Sequence, residues 1–233
     1  MIITDRQSVS YGGGMKMRIS KKPEERRNEI LDVAEMLFST KGYSKTTVND
    51  IVQMIGIAKG TFYYYFQSKE EVMDAIVMRF IDIGVEAAKV IASDPNLNAP
   101  EKIFQIIMAQ NPDENRKEQM IEQLHQVNNA EMHQKSLVET ILQLTPVLAD
   151  VIEQGIAEGS FKTPYPKETV EFLLVSSQFL FDEGIFQWQP HELLQKAIAF
   201  AYIMETTLGA ETGSFGYIPG KYEQKNKKGD FNG

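Results

Sequence analysis

The chain has 233 residues, 42% of them hydrophobic, enough for one substantial core or a small domain joined to a larger one, which excludes disorder throughout. It contains no cysteine, so disulfide frameworks, thiolate metal sites and zinc fingers are excluded, in keeping with a reducing cytosol. The net charge of −8 conceals an asymmetry: residues 1–69 carry +4 and residues 70–233 carry −12. A basic segment on an acidic body is what phosphate binding through one face requires, because Lys and Arg release counterions only where they touch the duplex.

The opening MIITDRQSVSYGGGMKMRISKK lacks the apolar core of a signal peptide and reads as a flexible basic arm over residues 1–22. No apolar run approaches the roughly 18–20 residues of a membrane span, so a cytoplasmic protein with no membrane partner is expected. Helical periodicity dominates and no stretch alternates as a strand would, which predicts an all-α fold of about nine helices. In the first helix, Pro23 to Thr40, Ile30, Leu31, Ala34, Leu37 and Phe38 form one apolar stripe, and Lys41-Gly42 ends it.

Thr47 with Asp50 makes a capping box for a short helix that Gly56 stops, and a second short helix, Ala58 to Tyr65, follows at once. Two short helices joined by a glycine-bearing turn make a helix-turn-helix over residues 46–65. Phe62 and Phe66, four apart, anchor the second helix and turn Lys59, Thr61, Tyr63, Tyr64 and Tyr65 toward other directions. Lysine supplies phosphate charge, threonine a base-edge contact, and tyrosine a hydroxyl plus a ring. Gly60 lets the backbone approach DNA closely, Lys69 lies among the open N–H groups of the next helix, and Thr47 can donate to a phosphate. The alternative for three consecutive tyrosines is partly buried aromatic packing.

Ser68 with Glu71 opens a long helix to Ala92, and Asn98 with Glu101 caps the next, which ends near Asn111-Pro112. A polar stretch from Asp113 to Asn129 is expected to be helical. Another helix runs from Ala130 to Glu158 through Pro146. Pro166 and Pro190 start the last two, and from Glu211 the Gly- and Lys-rich remainder, 211–233, reads as a flexible tail. His125 and His133 lie eight apart with Glu122 before them, and with no cysteine nearby they read as solvent-exposed, so no metal and no cofactor is expected. Gly-x-Ser-x-Gly, a phosphate-binding loop, His-Glu-x-x-His and a nucleophile-base pair are all missing, so no enzyme is expected either.

The segment from Thr46 through Lys59-Gly-Thr-Phe-Tyr-Tyr-Tyr-Phe66 to Glu71 resembles the TetR (tetracycline repressor) family of bacterial regulators, a likeness specific over residues 24–84. It implies a DNA-binding domain over 23–84 and a helical effector-binding and dimerisation domain over 85–210. It makes the helix at Lys59 the recognition helix, with Thr47, Lys59, Gly60, Thr61, Tyr63, Tyr64, Tyr65 and Lys69 at the DNA contacts. Ala58 departs from the pattern, since many relatives have a capping serine or threonine there.

The same resemblance implies a homodimer through the last two helices, where Leu173, Ser177, Phe181, Gly184, Leu194, Ala197, Ala201 and Leu208 lie on apolar stripes with small residues for close approach. The alternative is that these stripes bury inside the monomer. It implies also a cavity for an unknown small-molecule effector, with Phe80, Phe104, Met108, Met120, Leu124, His125, Met132, Phe179 and Trp188 as candidate lining, or else as ordinary core. The expected function is a repressor that leaves a palindromic operator when the effector binds. The alternatives are an activator or a helical interaction protein without small-molecule sensing.

Overall fold

The computed structural model describes residues 22–110 and 130–229. Residues 1–21 of the expected arm, the expected helix over 113–129, and with it Met120, Leu124 and His125, lie outside the described residues. Among the described residues there are nine helices and no strand, so the fold is all-α. They are α1 (Pro23–Lys41), α2 (Val48–Ile55), α3 (Lys59–Tyr65), α4 (Lys69–Ala92), α5 (Ala99–Ala109), α6 (Ala130–Glu158), α7 (Pro166–Leu180), α8 (Pro190–Leu208) and α9 (Tyr217–Gly229).

The helix starts follow from short-range chemistry. Thr47 Oγ1 accepts from the Asp50 N–H while Asp50 accepts from the Thr47 N–H, and Asn98 and Glu101 do the same for α5. Ser68 accepts from the Glu71 N–H at the start of α4. Each arrangement satisfies N–H groups that a helix start leaves without a backbone acceptor. Helices α1, α5, α7 and α8 each carry proline in the first turn, where a missing N–H costs nothing.

Two apolar clusters organise these helices. The first joins α1, α2, α3 and the N-terminal half of α4 around Phe38, Ile51, Phe62, Phe66, Met73 and Ile76. The second joins the C-terminal half of α4 to α5, α6, α7 and α8 around Ile103, Ile106, Ile152, Phe200 and Leu208. Helix α4 belongs to both, and Ile81 packs against each cluster. Charged pairs brace the first: Arg79 of α4 binds Asp32 at 2.6 Å and the buried Glu35 at 2.5 Å, both on α1.

The C-terminal segment departs from the expected tail. Phe215 is buried and stacks on Phe161, and α9 lies along α8. The segment has no apolar repeat, but a few well-placed rings suffice to hold it: Tyr217 meets Phe104, and Tyr222 stacks on Phe181. His133 also differs from expectation. Its side chain is mostly buried, and Nε2 lies 2.8 Å from Asp182 Oδ2, joining α6 to the connection after α7.

Candidate nucleic-acid interface

The helix-turn-helix is built outward from its caps. At the start of α2, Asp50 is held by Lys41 at 2.7 Å and by both the N–H and the hydroxyl of Thr47. These partners lower its carboxyl from the ordinary range to about 2, with the Lys41 contact the largest cause. Helix α2 ends at Gly56, whose φ of +74° reverses the chain with the N–H of Ile57 returning to the Val52 carbonyl at 3.0 Å. A side chain at that φ would be strained, so the turn requires glycine.

Helix α3 starts at Ala58, which gives no side-chain cap, so the departure seen in the sequence leaves this helix start held only by backbone bonds. Phe62 and Phe66 are fully buried with ring centroids 6.1 Å apart, and they fix how α3 is rotated. Lys59, Gly60, Tyr63 and Tyr64 are thereby exposed, Tyr64 at 76%, while Thr61 is half-buried. Tyr65 is half-buried against the first cluster and packs edge-on to Tyr64, so it braces the outer ring as much as it faces outward. A Cβ on Gly60 would meet nothing within 4 Å, so packing inside this chain does not explain a glycine there.

Two of the expected contacts have their side chains committed elsewhere. Lys69 Nζ donates to the carbonyls of Tyr43 at 2.8 Å and Thr46 at 3.0 Å and sits 4.1 Å from the Tyr43 ring centroid. Its charge ties α4 to the α1–α2 connection, and burial lowers its pKa. Thr47 is exposed, but its hydroxyl donates to Asp50. Lys45 is exposed two residues before the α2 cap.

The described members of the expected effector set fall in separate packing environments. Phe80 and Met132 pack on the first cluster, Phe104 and Met108 are partly exposed on α5, and Phe179 is exposed on α7. Trp188 donates to the Leu180 carbonyl and stacks between Phe186 and Lys196. A groove of about 410 Å³ instead runs between α1, α4 and α6, lined by Arg27, Glu71, Asp74, Arg79 and Lys135, none of them in the expected set.

The expected dimer stripe is also largely consumed inside the monomer. Ala197, Ala201 and Leu208 are buried, Leu173 and Phe181 pack on the second cluster, and Gly184 lies in the connection beyond α7. The outward apolar face is made by other residues: Phe172, Val175 and Phe179 on α7, and Ile198, Tyr202 and Ile203 on α8. Both helices are apolar on two sides, and periodicity alone could not say which side the body would use.

A short helix held by two buried phenylalanines, with its polar and aromatic residues turned to solvent, is the helix-turn-helix architecture of DNA-binding regulators. Residues 30–76 match the family model described as "Bacterial regulatory proteins, tetR family", and residues 112–203 match "Tetracyclin repressor-like, C-terminal domain". The chain is 30% identical over 148 residues to the HTH-type transcriptional repressor KstR2 of Mycobacterium tuberculosis, spanning 62% of this chain and 74% of that one. A TetR/AcrR-family regulator from Thermobifida fusca superimposes with a TM-score of 0.56 at 25% identity, covering 79% of this chain and 97% of that one. SmeT, the repressor of a Stenotrophomonas maltophilia multidrug efflux pump, shares the fold at 20% identity and a TM-score of 0.55, covering 81% and 92%. The chain belongs to the TetR family of bacterial transcriptional regulators; it binds DNA and is not an enzyme. Among the described residues no helix is long and apolar enough to cross a membrane.

Proposed function

We propose that this chain is a homodimeric cytoplasmic repressor that reads a palindromic operator with α3 and releases it when a small molecule binds the helical body. The reading head is residues 23–84 and the body begins at residue 85. The observation that carries the proposal is the rotation of α3: Phe62 and Phe66 point into the core, and Lys59, Gly60, Tyr63 and Tyr64 line the side left to a partner. Lys59 supplies phosphate charge, Gly60 permits close approach, and Tyr64 is more exposed than Tyr63. Thr61 and Tyr65 flank them.

Dimerisation is supported by the apolar face of Phe172, Val175, Phe179, Ile198, Tyr202 and Ile203, with Phe172 75% and Tyr202 67% exposed. Large rings so exposed on adjacent helices mark an interaction surface. A two-fold partner would put two α3 helices onto half-sites about 34–36 Å apart. The repressor role is supported by the likeness to KstR2.

The test is selection of the preferred palindrome from random duplexes, followed by anisotropy titration at several salt concentrations. Tyr64→Ala is expected to weaken binding to the selected site by about 1–3 kcal/mol, roughly 5- to 150-fold, with the fold intact. Failure to select any palindrome, or unchanged affinity in that variant, overturns the assignment of α3.

A further inference from the structure

One turn at the start of α6 reaches three parts of the molecule. Met132 packs against the first apolar cluster, the core of the reading head, and Lys135 pairs with Asp74 of α4 at 3.3 Å. Between them, His133 Nε2 lies 2.8 Å from Asp182 Oδ2 in the connection from α7 to α8. The lysine pair is exposed, so water and salt screen it and it adds little. The histidine pair differs: its side chains are 14% and 9% exposed, too enclosed for water to replace either partner.

Asp182 also organises the connection it belongs to. Its Oδ1 accepts from the N–H groups of Gly184 at 2.8 Å and Ile185 at 3.1 Å, and its carbonyl accepts from the Phe186 N–H at 2.9 Å. Trp188 donates from Nε1 to the Leu180 carbonyl at 2.9 Å and stacks on Phe186, so this turn holds the end of α7 and the approach to α8 in one arrangement. A helix is stiff within a turn, and Met132 and His133 are neighbours on it. Displacing the Asp182 turn therefore moves His133 and Met132 together.

We propose that His133 and Asp182 form a clasp coupling the α7–α8 connection to the reading head, with His133 a positioning residue that does not touch DNA. The proposal rests on the reading that α3 binds an operator and that α7 and α8 join two copies. With the clasp closed, the two heads keep the separation that paired half-sites require. With it open, α6 no longer fixes the head through Met132, and operator affinity falls by the fraction of molecules whose heads are out of place. Linkage makes the effect reciprocal: an operator that holds the heads also tightens the clasp.

The experiment uses the full chain, its selected operator duplex, hydrogen–deuterium exchange read peptide by peptide, and the emission of Trp188, the sole tryptophan. Operator binding by the parent is expected to slow exchange over residues 132–137 and 182–188 and to shift the Trp188 emission. His133→Ala should weaken operator binding about fivefold or more, whereas His133→Gln, whose amide can still donate to Asp182, should stay within about twofold of the parent. Adding His133→Ala to Asp182→Ala should cost no further affinity, because the two act through one bond. Parental affinity in His133→Ala, even with a lowered melting temperature, overturns the clasp, and so does additivity of the two alanine changes. Exchange over 132–137 and 182–188 that ignores the operator also overturns it, and this measurement needs no variant, so it decides the matter if His133→Ala does not fold. Failure to select any operator refutes the reading head by itself. The clasp is then judged without DNA: faster exchange over residues 69–80 in His133→Ala supports it, and unchanged exchange there overturns it.

Discussion

Replacing Lys69 with methionine tests whether its charge serves DNA or the protein. The ammonium group donates to two backbone carbonyls, of Tyr43 and Thr46, and covers the Tyr43 ring. Hydrogen bonds from a charged group contribute about 1.5–3 kcal/mol each when well enclosed. Lys69 is only partly buried, so solvent screens the pair and a combined loss of about 2 kcal/mol is the appropriate scale. Methionine keeps most of the stem's packing, which confines the change to those bonds. By the structure, Lys69→Met should lower the thermal stability of the head, while the slope of log affinity against log salt stays that of the parent. A phosphate contact would behave differently, with little loss of stability and a slope smaller by about 1. The measurements are thermal unfolding and anisotropy titrations at four or more salt concentrations. A reduced slope with unaltered unfolding refutes the structural role argued for Lys69.

Other outcomes follow from single features. Asp50 is held down to about 2 by Lys41 and Thr47, so its contribution is present above about pH 4 and is lost as pH falls from there toward 2; Asp50→Asn should flatten that part of the stability-against-pH curve. Gly155→Ala would place a Cβ 2.1 Å from the Phe161 ring and 2.9 Å from Ala99 Cβ, so overpacking of about 1–3 kcal/mol should outweigh the roughly 1 kcal/mol gained in helix propensity and lower the melting temperature. A melting temperature above the parent's would count against the packing described there. Phe172→Glu with Tyr202→Glu should yield a monomer in sedimentation with the parent's helicity, whereas Ala197→Glu should unfold the body, because Ala197 is buried within the monomer.

What the sequence made legible was short in range. Thr47 with Asp50 and Asn98 with Glu101 are three residues apart, their hydrogen bonds close within one turn, and no tertiary information is needed to foresee them. Phe62 and Phe66 were equally readable, because a four-residue spacing places both on one face. The bonds of Lys69 to Tyr43 and Thr46 were not legible, because these partners lie more than twenty residues upstream. Which side of α8 faces inward was not legible for a related reason: the helix presents Ala197, Ala201 and Met204 on one side and Ile198, Tyr202 and Ile203 on another, and only the packing of the body decides which is inside. The C-terminal helix was missed because its attachment depends on Phe215, Tyr217 and Tyr222 meeting Phe161 after α6, Phe104 of α5 and Phe181 just past α7, a pattern with no period.

Helix α4 has a consequence for anyone exchanging reading heads between relatives. Val72, Met73, Ile76 and Val77 are committed to one core, Val85 and Ala88 to the other, and the handover falls around Ile81. The helix is therefore a keyed shaft as well as a connector. Adding or deleting one residue near Ile81 would turn the head about 100° relative to the body, while seven residues would nearly restore the angle and push the two cores about 10 Å apart. A productive splice keeps the count through this stretch unchanged, because rotational phase is the quantity the shaft transmits.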